Sequence, residues 1–375
     1  MKALEVLLGY GCNEACAFCS QDLAWRRAPG LPFPLVAREL FLAAKDGYTS
    51  VCFTGGEPTL RKDLPEMLAL SRKLGFEYRR VQTNGVKLAE PGFVESLQAA
   101  GANYFRVSLH GHTPEVHDAL VKVPGALAKA ADGLARLKER GIGVGLNFVL
   151  TAANHSVLPE FCAAFLDQGL RDFVVIYPLY EGDLVHHEAA MRVSMADAAA
   201  SVRRAIGEFD RRGAPRPRLL NFTPCAAPEL SDQMLAWSAH SLLVVDAEHR
   251  PIDLYMASHD DRLQPSGCAA CSLASECLGF KRSYLARFPD GGGLAPVKTA
   301  GVPPRSGTRI LRRGGGAFAL GCHELARALQ PVAGQSAGEA SLRVERMTVT
   351  LDADAGRIVE SRAEWAEPLG EAAHA

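Results

Sequence analysis

The sequence predicts an α/β protein: parallel strands joined by helices and partly closed into a (β/α)6 barrel, followed by a small α+β unit. Three observations predict it. Short apolar runs recur six times in the first 180 residues, segments of helical periodicity separate them, and those segments end on glycine. Strand–helix alternation of this regularity needs crossover connections, and right-handed crossovers make neighbouring strands parallel.

The expected strands are residues 4–8, Ser50 to Thr54, Tyr78 to Thr83, Tyr104 to Leu109, Val144 to Leu150 and Phe173 to Tyr177. Helical spacing of apolar residues runs through Leu35 to Ala44, Leu64 to Leu74, Phe93 to Ala100, Ala126 to Arg140 and Leu158 to Leu166. Gly75, Gly101, Gly141 and Gly169 stand where left-handed caps would turn the chain into the next strand. In such folds ligands bind at the carboxyl ends of the strands. After Pro178 the pattern weakens, although Met195 to Arg212 reads as an alanine-rich helix covering the sheet's edge. Pro215-Arg216-Pro217 marks a boundary, so residues 1–213 are expected to form the barrel and 214–290 the smaller unit. Leu219 to Thr223 and Ser241 to Asp246 are assigned to that unit as strands, with a helix through Ser283 to Arg287. Residues 291–375 read as a glycine- and proline-rich connection, marked by Gly291 to Gly293, Pro303-Pro304 and Gly314 to Gly316, and a C-terminal extension. Within the extension, Leu342 to Leu351 and Arg357 to Arg362 alternate like a hairpin turning at Asp354-Ala355-Gly356.

Lysine plus arginine (41) nearly cancel aspartate plus glutamate (42), so no overall field draws the chain to nucleic acid or to an anionic membrane. No stretch reaches the ~18 uninterrupted apolar residues of a membrane span. Met1 to Leu8 carries charges inside its apolar run, unlike a signal peptide, and the expected compartment is the cytoplasm. Ten cysteines then argue for metal binding or reactive thiols rather than a disulfide framework. Six lie in two tight sets, Cys12/Cys16/Cys19 and Cys268/Cys271/Cys277; Cys52 and Cys162 fall on apolar faces as core residues.

Three thiolates in one loop suit an iron-sulfur cubane with one open iron better than structural zinc, which takes four ligands. Cys12-Asn13-Glu14-Ala15-Cys16-Ala17-Phe18-Cys19 resembles the CxxxCxφC signature of the radical S-adenosylmethionine (SAM) superfamily, with the aromatic Phe18 before the last cysteine. Gly55-Gly56-Glu57-Pro58 resembles that family's GGEP motif, where the carboxylate is expected to help bind an amino-acid ammonium. Thr83-Asn84-Gly85 and Ser108-Leu109-His110-Gly111 resemble strand-end elements of MoaA-like and peptide-modifying members, and Asn147 stands where relatives carry asparagine. The resemblance implies SAM contacts from Ser108 and Asn147, with Thr83 and Asn84 lining the pocket. His110 and His112 are candidate acid–base groups, with packed histidines the alternative.

Gly267-Cys268-Ala269-Ala270-Cys271, followed by Cys277, resembles the auxiliary-cluster segment of SPASM and twitch extensions. Lys281 stands where the full SPASM pattern has a further cysteine, so the shorter twitch-like arrangement with one auxiliary [4Fe-4S] cluster is expected. Cys225 is the expected fourth ligand and Cys322 the weaker candidate; zinc is the alternative metal.

The family resemblance thus implies an enzyme that reductively cleaves SAM at a [4Fe-4S] cluster and uses the 5′-deoxyadenosyl radical to abstract hydrogen from a substrate. A ribosomally made peptide and a small metabolite or cofactor precursor compete as that substrate. A flavodoxin- or ferredoxin-like protein is the expected electron donor. The alternative of another class is a non-catalytic iron-sulfur protein.

Overall fold

The computed structural model describes residues 2–235, 242–245, 251–253, 262–274 and 277–298, together with the backbone of five strands between residues 308 and 362. Its centre is a parallel sheet of β1 (Ala3–Leu7), β2 (Ser50–Thr54), β3 (Tyr78–Thr83), β4 (Tyr104–Ser108), β5 (Gly143–Val149) and β6 (Asp172–Ile176), in sequence order. All six expected strands are present. Crossovers run through α1 (Phe33–Lys45), α2 (Leu64–Lys73), α3 (Phe93–Ala100), α4 (Pro114–Val121), α5 (Ala126–Glu139) and α6 (Leu158–Asp167).

Alternation along the strands separates two faces. Leu4, Val6, Val51, Phe53, Val81, Phe105, Val107, Leu146 and Phe148 form the core on one face, while Glu5, Thr54, Gln82, Ser108 and Asn147 line a cavity on the other. The helices cover the apolar face. In α5, Leu127, Ala130, Leu134 and Leu137 are buried along one stripe, and truncating a buried leucine of this kind to alanine costs about 3 kcal/mol. The glycines expected as caps all have positive φ: 87° at Gly75, 122° at Gly101, 64° at Gly141 and 89° at Gly169.

The structure departs from the sequence expectation in three places. α4, eight residues beginning at a Thr113-Pro114 step, has no counterpart among the expected helices. The two strands assigned to the small unit instead extend the main sheet: β7 (Arg218–Leu220) pairs with β6, and β8 (Leu242–Val245) pairs in parallel with β1. An antiparallel β9 (Pro251–Asp253) completes the order β7-β6-β5-β4-β3-β2-β1-β8-β9. The physical reason is that β1 and β6 would otherwise leave unpaired edges, which short apolar strands cover. Beyond β6, α7 (Glu188–Met191) leads into α8 (Met195–Arg211), whose Phe209 meets Phe173 of β6 edge-on at 5.2 Å.

A short ladder, β10 (Arg262–Leu263) with β11 (Phe280–Lys281), brackets the second cysteine set and runs into α9 (Arg282–Leu285), which begins one residue before the helix expected there. The third departure lies in the extension. β12 (Thr308–Arg313) and β13 (Gly316–Gly321) form a hairpin where a flexible connection was expected, and the stretch through Leu351 divides into β14 (Glu339–Val344) and β15 (Met347–Asp352). The expected pairing onto β16 (Arg357–Arg362) is present, with its turn at 354–356 outside the described residues. No described helix is long and apolar enough to cross a membrane.

Candidate active site and a second cysteine cavity

The loop after β1 carries Cys12, Cys16 and Cys19, and three neighbours clamp its backbone. Gly56 N–H donates to Gly9 O at 2.7 Å and Glu57 N–H to Gly11 O at 2.7 Å. Ala15 and Ala17 N–H donate to Val121 and Leu120 O, carbonyls in the last turn of α4 that no intrahelical partner can satisfy. Asp183 N–H and Leu184 N–H donate to Gln21 O and Cys19 O. The glycine pair after β2 exists for this contact: a Cβ on Gly55 would lie 2.5 Å from Gly9 O, and one on Gly56 2.2 Å from Gly11 O. Those glycines let two backbones touch.

The three cysteines face a cavity of about 290 Å³ at the carboxyl end of the sheet. Phe18, Gly55, Gly56, Thr83, Asn84, Ser108 and Asn147 line the same cavity, as the sequence expectation places them. Ser108 and Asn147 are register partners on β4 and β5, so their side chains stand side by side. Asn84 is held in place, its Nδ2 donating to Asn13 Oδ1 at 2.7 Å and its Oδ1 accepting from Val86 N–H at 3.1 Å. Sequence reasoning missed Glu5, Gln82 and Arg26, which also line the cavity. The first two were legible from period-2 alternation along β1 and β3; Arg26, on a 3-10 turn over Leu23–Arg27, carried no such signal.

Glu57 stands apart from these lining residues. It does not line the cavity, and its carboxylate receives Thr59 N–H (3.0 Å), Thr59 Oγ1 (2.6 Å), Thr83 Oγ1 (2.7 Å) and Asn84 N–H (2.7 Å). Burial raises its pKa, and these hydrogen bonds offset that rise only in part. With four donors bound, the carboxylate joins the end of β2 to the end of β3. His112 is also absent from the cavity wall, whereas His110 is on it.

Burial pushes the Cys12 thiol up to about 11. Burial raises Cys16 well above its usual range, with Glu14, Cys19 and Cys12 adding to the effect. The Glu14 carboxyl is pushed up to about 8 by burial, and its Oε1 has no hydrogen-bond partner. Such crowding of buried acidic groups is relieved by a cationic centre, which takes thiols as thiolates. Among the described residues no three His, Cys, Asp or Glu converge on a point that a single ion would occupy. The thiols instead surround a volume, and this donor set fits a multi-atom cluster.

Cys225, Cys268, Cys271 and Cys277 line a second cavity of about 250 Å³. Cys225 sits on a 3-10 turn over Pro224–Ala226, with its sulfur 3.2 Å from Thr223 Oγ1. Gln264 Nε2 spans the hairpin, donating to Ala274 O at 3.0 Å and Cys277 O at 2.7 Å, and Gly279 N–H donates to Cys277 Sγ at 3.3 Å. Burial pushes the Cys225 thiol up to about 11, with Cys277, Cys268 and Cys271 adding to it. Cys322 lies outside the described residues. Cys52 and Cys162 are buried and line neither cavity.

Comparison with known proteins agrees with this geometry. Residues 6–160 match the sequence profile described as "Radical SAM superfamily". A PqqA peptide cyclase of Xanthomonas campestris pv. campestris (strain B100) is 32% identical over 214 residues, 55% of this chain and 56% of that protein. The chain thus spans about half the length of the curated relatives it matches. Streptococcus suis SuiB bound to the precursor peptide SuiA superposes with a TM-score of 0.55 at 18% identity, over 67% of this chain and 58% of that one. A histidine-tagged anSMEcpe with bound AdoMet superposes at 0.53 and 18% identity, over 68% and 72%. These solved structures share the fold. The match to the radical SAM superfamily thus covers residues 6–160, and the parallel sheet is the fold this chain shares with these solved structures.

Proposed function

We propose that this chain is an enzyme that cleaves SAM reductively at a [4Fe-4S] cluster held by Cys12, Cys16 and Cys19, and modifies a ribosomally made peptide after hydrogen abstraction. One observation carries the reading. A single cavity gathers those three thiols with polar side chains from the ends of β3, β4 and β5. When bound, the cluster supplies one electron to SAM, and the cleavage that follows provides the radical. The protein's part is positioning and shielding. Ser108 and Asn147 offer adjacent hydrogen-bonding groups for the ribose or methionyl end of SAM, Asn84 keeps its orientation through Asn13, and Phe18 closes the wall beside Cys19 against water.

The peptide reading is supported by the names of the relatives, a PqqA peptide cyclase and SuiB with its precursor peptide SuiA. A small metabolite is the second reading. In the second cavity, Cys225, Cys268, Cys271 and Cys277 supply four thiols, the complement of an auxiliary [4Fe-4S] cluster in a twitch-like unit. A flavodoxin- or ferredoxin-like protein fits as electron donor.

Anaerobically reconstituted protein is to be incubated with SAM and dithionite, with precursor-peptide and metabolite pools added separately. The expected result is 5′-deoxyadenosine formation stimulated by a peptide whose mass changes. Stimulation by metabolites alone overturns the peptide reading. Iron-loaded protein that never cleaves SAM overturns the enzyme reading in favour of a non-catalytic iron-sulfur protein.

A further inference from the structure

His110 is fastened at every polar atom but one. Its backbone N–H donates to His117 Nδ1 at 3.1 Å, and its backbone carbonyl accepts from Asn154 Nδ2 at 3.0 Å. Its ring Nδ1 accepts the Val149 N–H at 3.2 Å. An amide can only donate, so Nδ1 carries no proton and the neutral ring holds its hydrogen on Nε2. The ring lies edge-on to Phe18 with centroids 4.4 Å apart, and it forms part of the wall of the cavity that holds Cys12, Cys16 and Cys19. Burial, with His117 beside it, lowers the pKa of the imidazole well below the usual histidine value.

We infer that His110 is a permanently neutral hydrogen-bond donor, whose Nε2–H holds an acceptor oxygen of bound SAM, and that it is not an acid–base group. A proton shuttle must gain and lose its proton, and the Val149 amide blocks the one nitrogen that would take it. The inference rests on the proposed SAM-binding role of this cavity.

The test uses anaerobically reconstituted wild type, His110→Asn and His110→Gln, with iron content measured for each. SAM binding is followed by equilibrium dialysis from pH 5.5 to 7.0. Asparagine can accept from Val149 but is too short to replace Nε2, whereas glutamine can place an amide donor near it. The expected result is affinity about tenfold weaker for His110→Asn, the worth of one lost hydrogen bond, and within about threefold of wild type for His110→Gln. Wild-type affinity should stay flat across that pH range. Dialysis of 5′-deoxyadenosine locates the acceptor: an equal loss assigns the ribose, and a loss confined to SAM assigns the methionyl carboxylate. His110→Asn binding SAM like wild type, or a wild-type limb near pH 6.5, overturns the inference. If His110→Asn fails to hold iron, the wild-type pH profile decides. Wild type that carries iron but binds no SAM overturns the underlying reading instead.

Discussion

The two cysteine cavities differ in what holds them. The first hangs from the ends of a parallel sheet, its loop clamped by the glycine turn after β2, by α4 and by the Asp183–Leu184 backbone, and polar side chains surround three thiols. The second is assembled from short 3-10 turns and a two-residue ladder, with four thiols and the apolar Pro224, Leu273, Phe280 and Leu294 in its wall. Three thiols with polar company leave room for a second ligand, whereas four thiols close their own coordination. On the proposed function the first cavity does the chemistry and the second serves it.

Cysteine removal separates the cavities most sharply. Cys16→Ala should lower 5′-deoxyadenosine formation by at least about a hundredfold, equivalent to ~2.7 kcal/mol of barrier. Cys271→Ala should instead remove about four irons per chain while SAM cleavage without substrate persists. An unchanged iron count in Cys271→Ala would erase the distinction, because the second cavity would then hold no cubane. A second pair of substitutions divides framework from lining within the first cavity. Glu57→Ala strands the donors of Thr59, Thr83 and Asn84 and should cost about 3 kcal/mol of stability by urea denaturation. Ser108→Ala should leave the urea midpoint in place and weaken SAM binding by about 1 kcal/mol.

The clamp around α4 also gives the first cavity an acid sensitivity. Burial lowers His117 to about 4, below the usual histidine value of about 6.5, so between those values the unfolded chain binds more protons than the folded one. Stability is full above pH ~6.5 and falls as pH drops toward ~4, by up to roughly 3 kcal/mol. His117→Gln, which keeps an acceptor for His110 N–H, should flatten that fall in urea midpoints measured from pH 7 to 4.5. An identical fall in the variant would move its origin elsewhere.

Much of this was legible in the sequence because the responsible patterns are local. The six strands announce themselves by apolar runs, and the cysteine loop and strand-end motifs by spacing. Sheet order is not local: nothing between residues 214 and 250 says that β8 pairs with β1. Glu57 was visible as a residue, but its four donors come from three positions that only folding brings together. Arg26 lacks any periodic neighbour.

The position of β1 carries a consequence for how the chain comes off the ribosome. Among the described strands it is the first made, yet one of its edges waits for Leu242–Val245, so Leu4 pairs with Leu243 only after the other described parallel strands have been made. By residue 176 every strand that lines the first cavity has been made, while that edge of β1 is still unpaired and open to mispairing. The strands and the Asp183–Leu184 backbone that hold the first cysteine loop therefore precede β8 in the order of synthesis, and β8 in turn precedes Cys268, Cys271 and Cys277.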